Sequence, residues 1–266
     1  MTTVLITGSE GFIGSHLNLW DFSKYRIRLY DLKFGADIFG ESLENAIKES
    51  DVVIHLAALV SVNDSFKRPK DYFRTNVLGT ARVLELCLKH NKKLIYPSSA
   101  AVYFRHLSPY AESKALGEDL CVKAMDYGRI TVLRFFNVYG PEMNPESGSV
   151  MYQFLKGTKE GSLTIFGDGT QTRDFIHIDD LAKIIKAAIS KKWDGKIVDC
   201  GNGKAYSMNY LASLFKRFSG KKDLQILHLD ARREIKWSKA KTKELRSLYK
   251  KPLKQLKQGV KELFND

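Results

Sequence analysis

A tyrosine, a lysine and a serine have the types and spacing of a proton-transfer site. Tyr110 and Lys114 are four residues apart, so a helix would place them on one face. A tyrosine acts as a base near neutral pH only if its phenolate is stabilised, which an adjacent ammonium can do. Taken alone, this spacing is better explained by a half-buried tyrosine next to a solvated lysine, with no catalytic role. Ser99 changes this interpretation, because it follows a predicted parallel strand, at the sheet edge where ligands bind.

A glycine-rich turn near the start of the chain predicts a dinucleotide site. Residues 7–14 read TGSEGFIG, with a β-forming run before them and a helical pattern after them. Gly8 suits the tight turn, Gly11 lets the backbone approach a pyrophosphate, and Gly14 allows close packing of the helix on the sheet. The positive end of the helix dipole would then face the phosphates.

An acidic residue at the end of the second predicted strand indicates which dinucleotide binds. Asp31 lies 17 residues after Gly14, close to the position where a carboxylate accepts hydrogen bonds from both ribose hydroxyls. A carboxylate there also repels a 2′-phosphate, so we expect NAD rather than NADP. Two alternatives stay open: Asp31 is an ordinary turn residue, or Lys33 nearby accommodates NADP.

The elements that must position these residues alternate between strand and helix. Predicted strands cover 4–7, 26–31, 52–57, 93–98 and 130–135, and predicted helices cover 11–22, 76–90 and 110–125. This alternation predicts an α/β fold, a Rossmann-type doubly wound parallel sheet, with a smaller C-terminal substrate-binding part. Residues 1–141 form the predicted NAD-binding domain, with interleaved returns from the C-terminal half, and residues 142–266 form the smaller, basic part. In that part, helices are predicted at 150–159, 179–190 and 206–218, the last with Ser207 as N-cap, and strands at 163–166 and 196–200.

The positive charge is concentrated at the C-terminal end. The net charge is +13, but residues 1–190 carry 23 Lys/Arg against 22 Asp/Glu, whereas residues 191–266 carry 20 against 8. Leu253, Leu256, Val260 and Leu263 recur there at helical spacing with lysines between them, which predicts an amphipathic helix with a solvated lysine face. Nucleic acid is therefore a disfavoured partner.

The apolar runs and the cysteines limit the class of protein. The longest apolar stretch, residues 52–62, is interrupted by His55 and is too short to span a bilayer, so no membrane association is expected. Three cysteines lie far apart without a CxxC pair, which disfavours a disulfide framework and a zinc site, and no metal is expected. We expect a cytoplasmic protein.

Seven segments together resemble a known family, although none of them is specific alone. The chain resembles the extended short-chain dehydrogenases/reductases, and within them the NAD-dependent nucleotide-sugar epimerase/dehydratase family, with UDP-glucose 4-epimerase as the type. The matching segments are 7–14, 51–58, 76–80, 98–103, 110–114, 133–141 and 166–180. Their order is that of the family, and they extend over nearly the whole chain.

The resemblance implies roles for particular residues. Tyr110 would be the acid/base, Lys114 its electrostatic partner and the anchor of the nicotinamide ribose, and Ser99 the hydroxyl that bonds the substrate oxygen. Cofactor contacts are implied for Gly8, Gly11, Phe12, Ile13, Gly14, Asp31, Asp37, Ile38, Leu56, Ala57, Ala58, Asn76, Tyr110, Lys114 and Phe136. Asp37 and Ile38 would lie by the adenine, and Phe136 beside the nicotinamide.

The resemblance also implies a site for a nucleotide-diphosphate sugar. Its implied contacts are Ser99, Asn137, Thr164, Ile165, Phe166 and Arg173. Asn137 and Arg173 would hold the diphosphate, and residues 164–166 would form the nucleobase pocket. Either Arg232 or Arg233 would supply a second phosphate contact. The alternative for Arg173 is an ordinary ion pair with Asp174 or Asp168.

Two alanines after the catalytic hydroxyl indicate the reaction. Dehydratases of this family carry Asp-Glu there, and decarboxylases tend to carry a Glu, but this chain has Ala100 and Ala101. Elimination therefore lacks its proton donor. The resemblance then implies epimerisation at C4″, in which Tyr110 takes the hydroxyl proton and a transient 4-keto sugar forms. A reductase or dehydrogenase of similar fold, and a non-catalytic NAD-binding regulator, stay open as alternatives.

The chain departs from the family in one loop. Ser99 and Tyr110 are separated by 11 positions, whereas the family has a longer connection, and Phe104 stands where a glycine is usual. The missing part normally helps to wall the sugar site. The family also implies a homodimer through the predicted helices 76–90 and 110–125, with Val83, Leu84, Leu116 and Leu120 expected near the partner.

Overall fold

The computed structural model describes residues 1–18, 24–145, 148–232 and 234–264. The strands are β1 (Thr2–Thr7), β2 (Tyr25–Tyr30), β3 (Val52–His55), β4 (Lys93–Ser99), β5 (Ile130–Phe135), β6 (Asn137–Tyr139), β7 (Ser162–Phe166), β8 (Thr172–His177), β9 (Lys196–Cys200), β10 (Ala205–Ser207) and β11 (Gln225–Leu229). The α-helices are α1 (Phe12–Asn18), α2 (Ser42–Lys48), α3 (Val62–Lys67), α4 (Pro69–Phe73), α5 (Thr80–Lys89), α6 (Pro109–Lys123), α7 (Val150–Glu160), α8 (Ile178–Ala188), α9 (Met208–Phe218), α10 (Lys243–Leu248) and α11 (Leu256–Glu262).

The central sheet has six strands in the order β2-β1-β3-β4-β5-β9, and every pair is parallel. Successive residues of one strand enter different cores, since their side chains point to opposite faces of the sheet. Ile6 and Ile54 belong to the first apolar cluster, and Leu5 and Val53 belong to the second. Helices therefore cover both faces, and the predicted Rossmann-type α/β fold is confirmed.

Helix α5 packs inward more deeply than the sequence suggested. Val83 is 0% and Leu84 is 7% exposed, and both belong to the second apolar cluster. The expectation that these two residues face a partner subunit is therefore wrong, because the subunit's own sheet covers them. Leu116 and Leu120 on α6 are half-buried.

The second half of the chain builds two small sheets and a third core. One small sheet has the order β10-β8-β6, and the other pairs β11 with β7. Helices α7, α9 and α11 share the third apolar cluster, which includes Phe154, Phe215 and Val260. Strand β9 instead joins the central sheet beside β5, so the division of the chain at residue 141 does not separate two independent sheets.

Most predicted elements occur, with shifts at their ends. The Ser207 hydroxyl accepts a hydrogen bond from the Tyr210 amide and caps α9, as expected. The predicted C-terminal helix is α11, which begins at Leu256, so Leu253 lies before it. The predicted helix at 11–22 is α1 as far as Asn18, and its end at Phe22 lies outside the described residues. Among the described residues, no helix has the length and apolar character needed to cross a bilayer.

Candidate active site

Two glycines of the turn between β1 and α1, Gly8 and Gly14, leave no room for a side chain. Gly8 has φ +72°, and its amide donates to the Tyr30 carbonyl at 2.9 Å. A Cβ at Gly8 would lie 2.5 Å from the Ala57 nitrogen, and one at Gly14 would lie 2.4 Å from the Gly8 carbonyl oxygen. Gly14 is thus needed because the helix packs on the turn itself, rather than on the sheet.

Gly11 is the open member of the three glycines. A Cβ there would meet only the Gly8 carbonyl oxygen, at 3.3 Å, so the space beside Gly11 is free of other protein atoms within 4 Å. A bare backbone next to open space fits a bound pyrophosphate. Phe12 and Ile13 follow and are half-buried; Phe12 packs on the third apolar cluster and Ile13 on the first.

Asp31 holds the turn that precedes the glycines' helix. Its Oδ2 accepts the Glu10 amide and its Oδ1 accepts the Lys33 amide, both at 3.0 Å. Each carboxylate oxygen can accept a further hydrogen bond, so ribose hydroxyls can still be bound. The Lys33 ammonium lies 4.0 Å from the Glu10 carboxylate.

The remaining predicted cofactor residues line the loops that follow β2 and β3. The Asp37 carboxylate accepts the Phe39 amide at 2.9 Å, and buried Ile38 packs against Gly79. Leu56, Ala57 and Ala58 follow β3, and the Leu56 amide donates to the Thr7 carbonyl at 2.9 Å.

Asn76 connects that loop to helix α6. Its side chain bonds both the amide and the carbonyl of Leu59 at 2.9 Å and donates to the Ser113 hydroxyl at 3.0 Å. Asn76 lies in a π-helical segment, Arg74–Gly79, a conformation that is frequent at functional sites. The sequence pattern predicted an α-helix there.

A buried histidine, which the sequence alone shows only as a break in an apolar run, contacts the end of β1, directly before the glycine-rich turn. The His55 ring contacts the Thr7 hydroxyl at 2.8 Å and the Thr80 hydroxyl at 3.3 Å. Burial, with the nearby Lys114 charge, lowers the pKa of His55 to about 3, so the ring is neutral at physiological pH. Its position at the end of a buried strand was the available signal.

The short connection between Ser99 and Tyr110 folds into tight turns. 3₁₀ turns span Ala100–Leu107, with a kink at Phe104, where φ is −132° and ψ is 40°. The Ser99 hydroxyl accepts the Ala101 amide at the start, and Ser108 caps α6 at the end. The Ser99 hydroxyl lowers the pKa of the Tyr110 phenol, so the two side chains are neighbours.

The surroundings of Tyr110 and Lys114 set their protonation. Burial raises the pKa of Tyr110, against the effect of Ser99, and the Tyr72 ring lies edge-on at 6.4 Å. Burial lowers the pKa of Lys114 to about 8. The Lys114 ammonium donates to the Pro97 carbonyl at 2.6 Å and lies 4.6 Å from the centre of the Tyr96 ring. The effect of Lys114 on Tyr110 stays a prediction.

A buried polar network adjoins the site, and the sequence analysis missed it. The Ser98 hydroxyl donates to Glu118 on α6, and Arg134 on β5 pairs with the same carboxylate. Arg134 also donates to the Tyr103 hydroxyl at 2.7 Å, which in turn donates to Asp199 at 2.8 Å. The network ties β4, β5, β9 and the turn segment after Ser99 together. Arg134 in β5 and Asp199 in β9, charged residues within mainly apolar strands, were the available signal.

Beyond β5 lie Phe136, which is expected beside the nicotinamide, and the residues that are expected to bind the diphosphate and the nucleobase. Phe136 is 3% exposed, and its amide donates to the Cys200 carbonyl. The Asn137 side chain donates to the Asp174 carbonyl at 2.7 Å. On β7, Thr164 is exposed, Ile165 buried and Phe166 half-buried.

Two arginines converge on one glutamate in this region. Arg173 donates to the Glu234 carboxylate at 2.8 Å. The alternative that Arg173 forms an ion pair with Asp174 or Asp168 is therefore wrong. Asp174 instead accepts the amides of residues 202, 203 and 240. The Arg232 guanidinium covers the Phe166 ring at 4.1 Å and lies 4.0 Å from Glu234. Arg233, the other candidate for a phosphate contact, lies outside the described residues.

The cysteines and possible metal ligands give no sign of another centre. Cys87, Cys121 and Cys200 are all free and buried. In the part of the chain that the structure describes, no three His, Cys, Asp or Glu side chains are grouped so as to hold a metal ion.

Comparison with known proteins places the chain among nucleotide-sugar enzymes. The sequence model of the NAD dependent epimerase/dehydratase family matches residues 4–201. A putative UDP-glucose 4-epimerase from Methanocaldococcus jannaschii is 34% identical, over 98% of this chain and 97% of that protein. The UDP-glucuronic acid 4-epimerase from Bacillus cereus, solved with UDP-glucuronic acid and NAD, has a TM-score of 0.89 and 31% identity, over 99% and 98% of the two chains. A UDP-N-acetylglucosamine 4-epimerase from Methanobrevibacter ruminantium has a TM-score of 0.90 and 27% identity, over 99% and 97%.

Proposed function

The chain belongs to the NAD dependent epimerase/dehydratase family, and on that premise we propose that it epimerises a nucleotide-diphosphate sugar at C4″ through a transient 4-keto intermediate. NAD is its cofactor. The observation that carries the proposal is the position of Tyr110 on α6, where the neighbouring Ser99 hydroxyl lowers the pKa of its phenol. This neighbourhood supports a proton-transfer pair in spite of the short connection between the two residues.

Each residue of the pair has a distinct task. The Ser99 hydroxyl holds the C4″ oxygen of the sugar against Tyr110, and the Tyr110 oxygen takes the proton from that hydroxyl and later returns it. Bound NAD supplies the hydride acceptor and donor that this chemistry needs. Lys114 adds a positive charge that favours the phenolate, which burial alone disfavours.

The same segment explains why elimination is not proposed. Ala100 and Ala101 follow Ser99 and bring no acid to the sugar. The carboxylates of Glu112 and Glu118 on α6 are held by Arg105 and Arg134. Neither glutamate is free to protonate a leaving hydroxyl.

The substrate's remaining groups have binding partners on the C-terminal half. Arg173 and Arg232 are the proposed diphosphate ligands, since a guanidinium suits paired phosphate oxygens. The guanidinium groups of both arginines lie beside one carboxylate, that of Glu234. Residues 164–166 are the proposed nucleobase wall.

Substitution of the proposed base tests the function. Purified protein is incubated with NAD and UDP-, GDP- and dTDP-sugars, and the epimers are separated. Tyr110→Phe should lose about 10²–10⁴-fold in rate while it still binds NAD. Tyr127→Phe is the matched control, because Tyr127 is 82% exposed. Near-normal turnover by Tyr110→Phe, or net change of nicotinamide absorbance during turnover, would contradict the proposal.

A homodimer is also proposed, through the region around α6 that was first expected but with other side chains in place of Val83 and Leu84. Val62 and Phe66 on α3 and Leu78 in the π-helical segment are 45%, 59% and 60% exposed, and both elements pack on α6. Large apolar side chains at one side of α6 fit a covered surface. Light scattering at micromolar concentration tests this, and a monomeric mass would contradict it.

A further inference from the structure

A small pocket beside the catalytic segment combines aromatic walls with positive charge. Its volume is about 150 Å³, and its walls include Tyr103, Phe104, Phe136 and Trp237, with Lys239 and Lys241 beside them. Both lysines and Trp237 are exposed, whereas Phe136 is buried. The pocket therefore has an apolar floor and a charged, open rim.

The position of the pocket links the two halves of the proposed site. Tyr103 and Phe104 belong to the turns that begin directly after Ser99. On the other side, Trp237 forms a backbone bridge with Thr172, the residue before Arg173. The pocket is thus bordered by the segment that follows Ser99 and, through Trp237, by the strand that carries Arg173.

The two lysines carry charge that the described residues do not neutralise. No carboxylate in the described ranges lies within 4.0 Å of either ammonium, although such pairs occur elsewhere in the chain. Asp199 accepts the Lys241 main-chain amide at 2.9 Å, but it is buried and already pairs with Arg134 and Tyr103. The Lys241 ammonium lies 5.5 Å from the centre of the Tyr103 ring, at the pocket.

We propose that this pocket binds a carboxylate attached to the carbon next to the reacting one, so that the substrate is a nucleoside diphosphate joined to a hexuronic acid. The inference rests on the proposed function. In a hexuronic acid the carboxylate is bonded to C5″, the neighbour of C4″, so it lies within a few bonds of the oxygen at Ser99. The aromatic walls would cover the apolar face of the sugar ring, and Lys241 and Lys239 would pair with the carboxylate.

A neutral hexose offers these lysines hydroxyl oxygens but no negative charge. A charge-assisted hydrogen bond is stronger than a neutral one. We therefore expect the uronate to bind roughly ten- to hundredfold more tightly than the matching hexose. The preference would come from the rim of the pocket, whereas the nucleotide and diphosphate contacts are common to both ligands.

Calorimetric titration of the NAD-loaded protein with UDP, UDP-glucose and UDP-glucuronate tests the inference. In the unmodified protein, the uronate should bind at least about tenfold more tightly than the glucose compound. The double variant Lys239→Gln/Lys241→Gln should reduce that ratio to near one. Lys241→Arg keeps the charge and should keep the preference. The control Lys243→Gln/Lys250→Gln removes the same number of exposed charges away from the pocket and should keep the ratio.

Two results would overturn the inference and leave the proposed function standing. One is equal affinity for UDP-glucose and UDP-glucuronate in the unmodified protein, and the other is a uronate preference that persists in the double variant. Failure of UDP and both sugars to bind at all would instead overturn the proposed function, and this inference with it. Thermal denaturation of each variant checks that the exposed substitutions leave the fold intact.

Discussion

The proposed cofactor region and the proposed substrate region of the molecule are built in different ways. Around the glycine-rich turn, main-chain atoms meet main-chain atoms, as where the Gly8 amide meets the Tyr30 carbonyl. On the substrate side, long side chains meet across wide sequence gaps; Arg173 and Glu234 are 61 residues apart. The first construction leaves no room for a side chain at Gly8 or Gly14, whereas the second can change a charge or a ring without moving the backbone. We therefore expect substitutions to alter substrate choice more readily than cofactor binding.

The largest effect should come from adding one methyl group to the turn. Gly8→Ala combines φ +72° with a Cβ 2.5 Å from the Ala57 nitrogen, so we expect a loss of about 3 kcal/mol or more in the free energy of unfolding, and weakened NAD binding. Gly35→Ala is the matched control, with φ +73° and nothing within 4 Å, and should cost about 1–2 kcal/mol. Urea denaturation and NAD titration measure both; equal losses would contradict the packing argument.

Removal of one charge should be the corresponding test on the substrate side. Glu234→Gln leaves the mostly buried Arg173 guanidinium without its counter-charge, so the ligand-free protein should lose about 1–3 kcal/mol of stability. UDP should then raise the melting temperature more in the variant than in the unmodified protein, because the diphosphate replaces the carboxylate. Glu160→Gln removes an exposed pair with Lys156 and should change stability by less than about 1 kcal/mol. An unchanged response to UDP would argue against a diphosphate at Arg173.

The pH dependence of the rate should report the buried lysine on the cofactor side. The pKa of Lys114 is lowered to about 8, so its charge is lost as the pH rises through that value, and kcat/KM should fall by about tenfold per further pH unit. Stability should not fall in parallel. Between the folded pKa and the higher unfolded pKa, the unfolded chain binds more protons, so the Lys114 contribution to stability increases with pH. A flat rate profile to pH 9.5 would remove the ammonium from the mechanism.

The smallest change concerns cofactor selection. Asp31→Asn keeps the hydrogen-bond acceptor for the Glu10 amide but removes the charge that opposes a 2′-phosphate. We expect the preference for NAD over NADP to narrow by about 0.5–1.5 kcal/mol. Asp71→Asn, at an exposed position on α4, should leave the ratio unchanged. Tighter binding of NADP than of NAD by the unmodified protein would show that Asp31 does not select the cofactor.

The two sides also differ in how well the sequence predicts them. The turn at residues 7–14 is encoded by neighbours in sequence, so its glycines, its strand and its helix could be recognised together. Ser99 and Tyr110 are proposed from local patterns in the same way, and the turns of the short connection between them make them neighbours. Local sequence patterns therefore predicted the sheet, whereas the role of the two residues in proton transfer stays a prediction.

Long-range pairing was not predictable from such patterns. Glu234 and the Ser98–Glu118–Arg134 network depend on which distant side chains meet after folding, and no local spacing specifies that. Val83 and Leu84 were misplaced for a related reason. An apolar face on a helix indicates that it is covered, but not whether the subunit's own sheet or another molecule covers it.

Strand β9 has a consequence for biosynthesis. It is made from Lys196–Cys200, yet it pairs with β5, which ends at Phe135. While the chain is being synthesised, the edge of β5 that will pair with β9 therefore stays unpaired until about sixty further residues have left the ribosome. An open strand edge on a nascent chain invites pairing with other chains. We expect fragments that stop before residue 196 to aggregate or to recruit chaperones, and the 266-residue chain to complete its central sheet only after β9 has been synthesised.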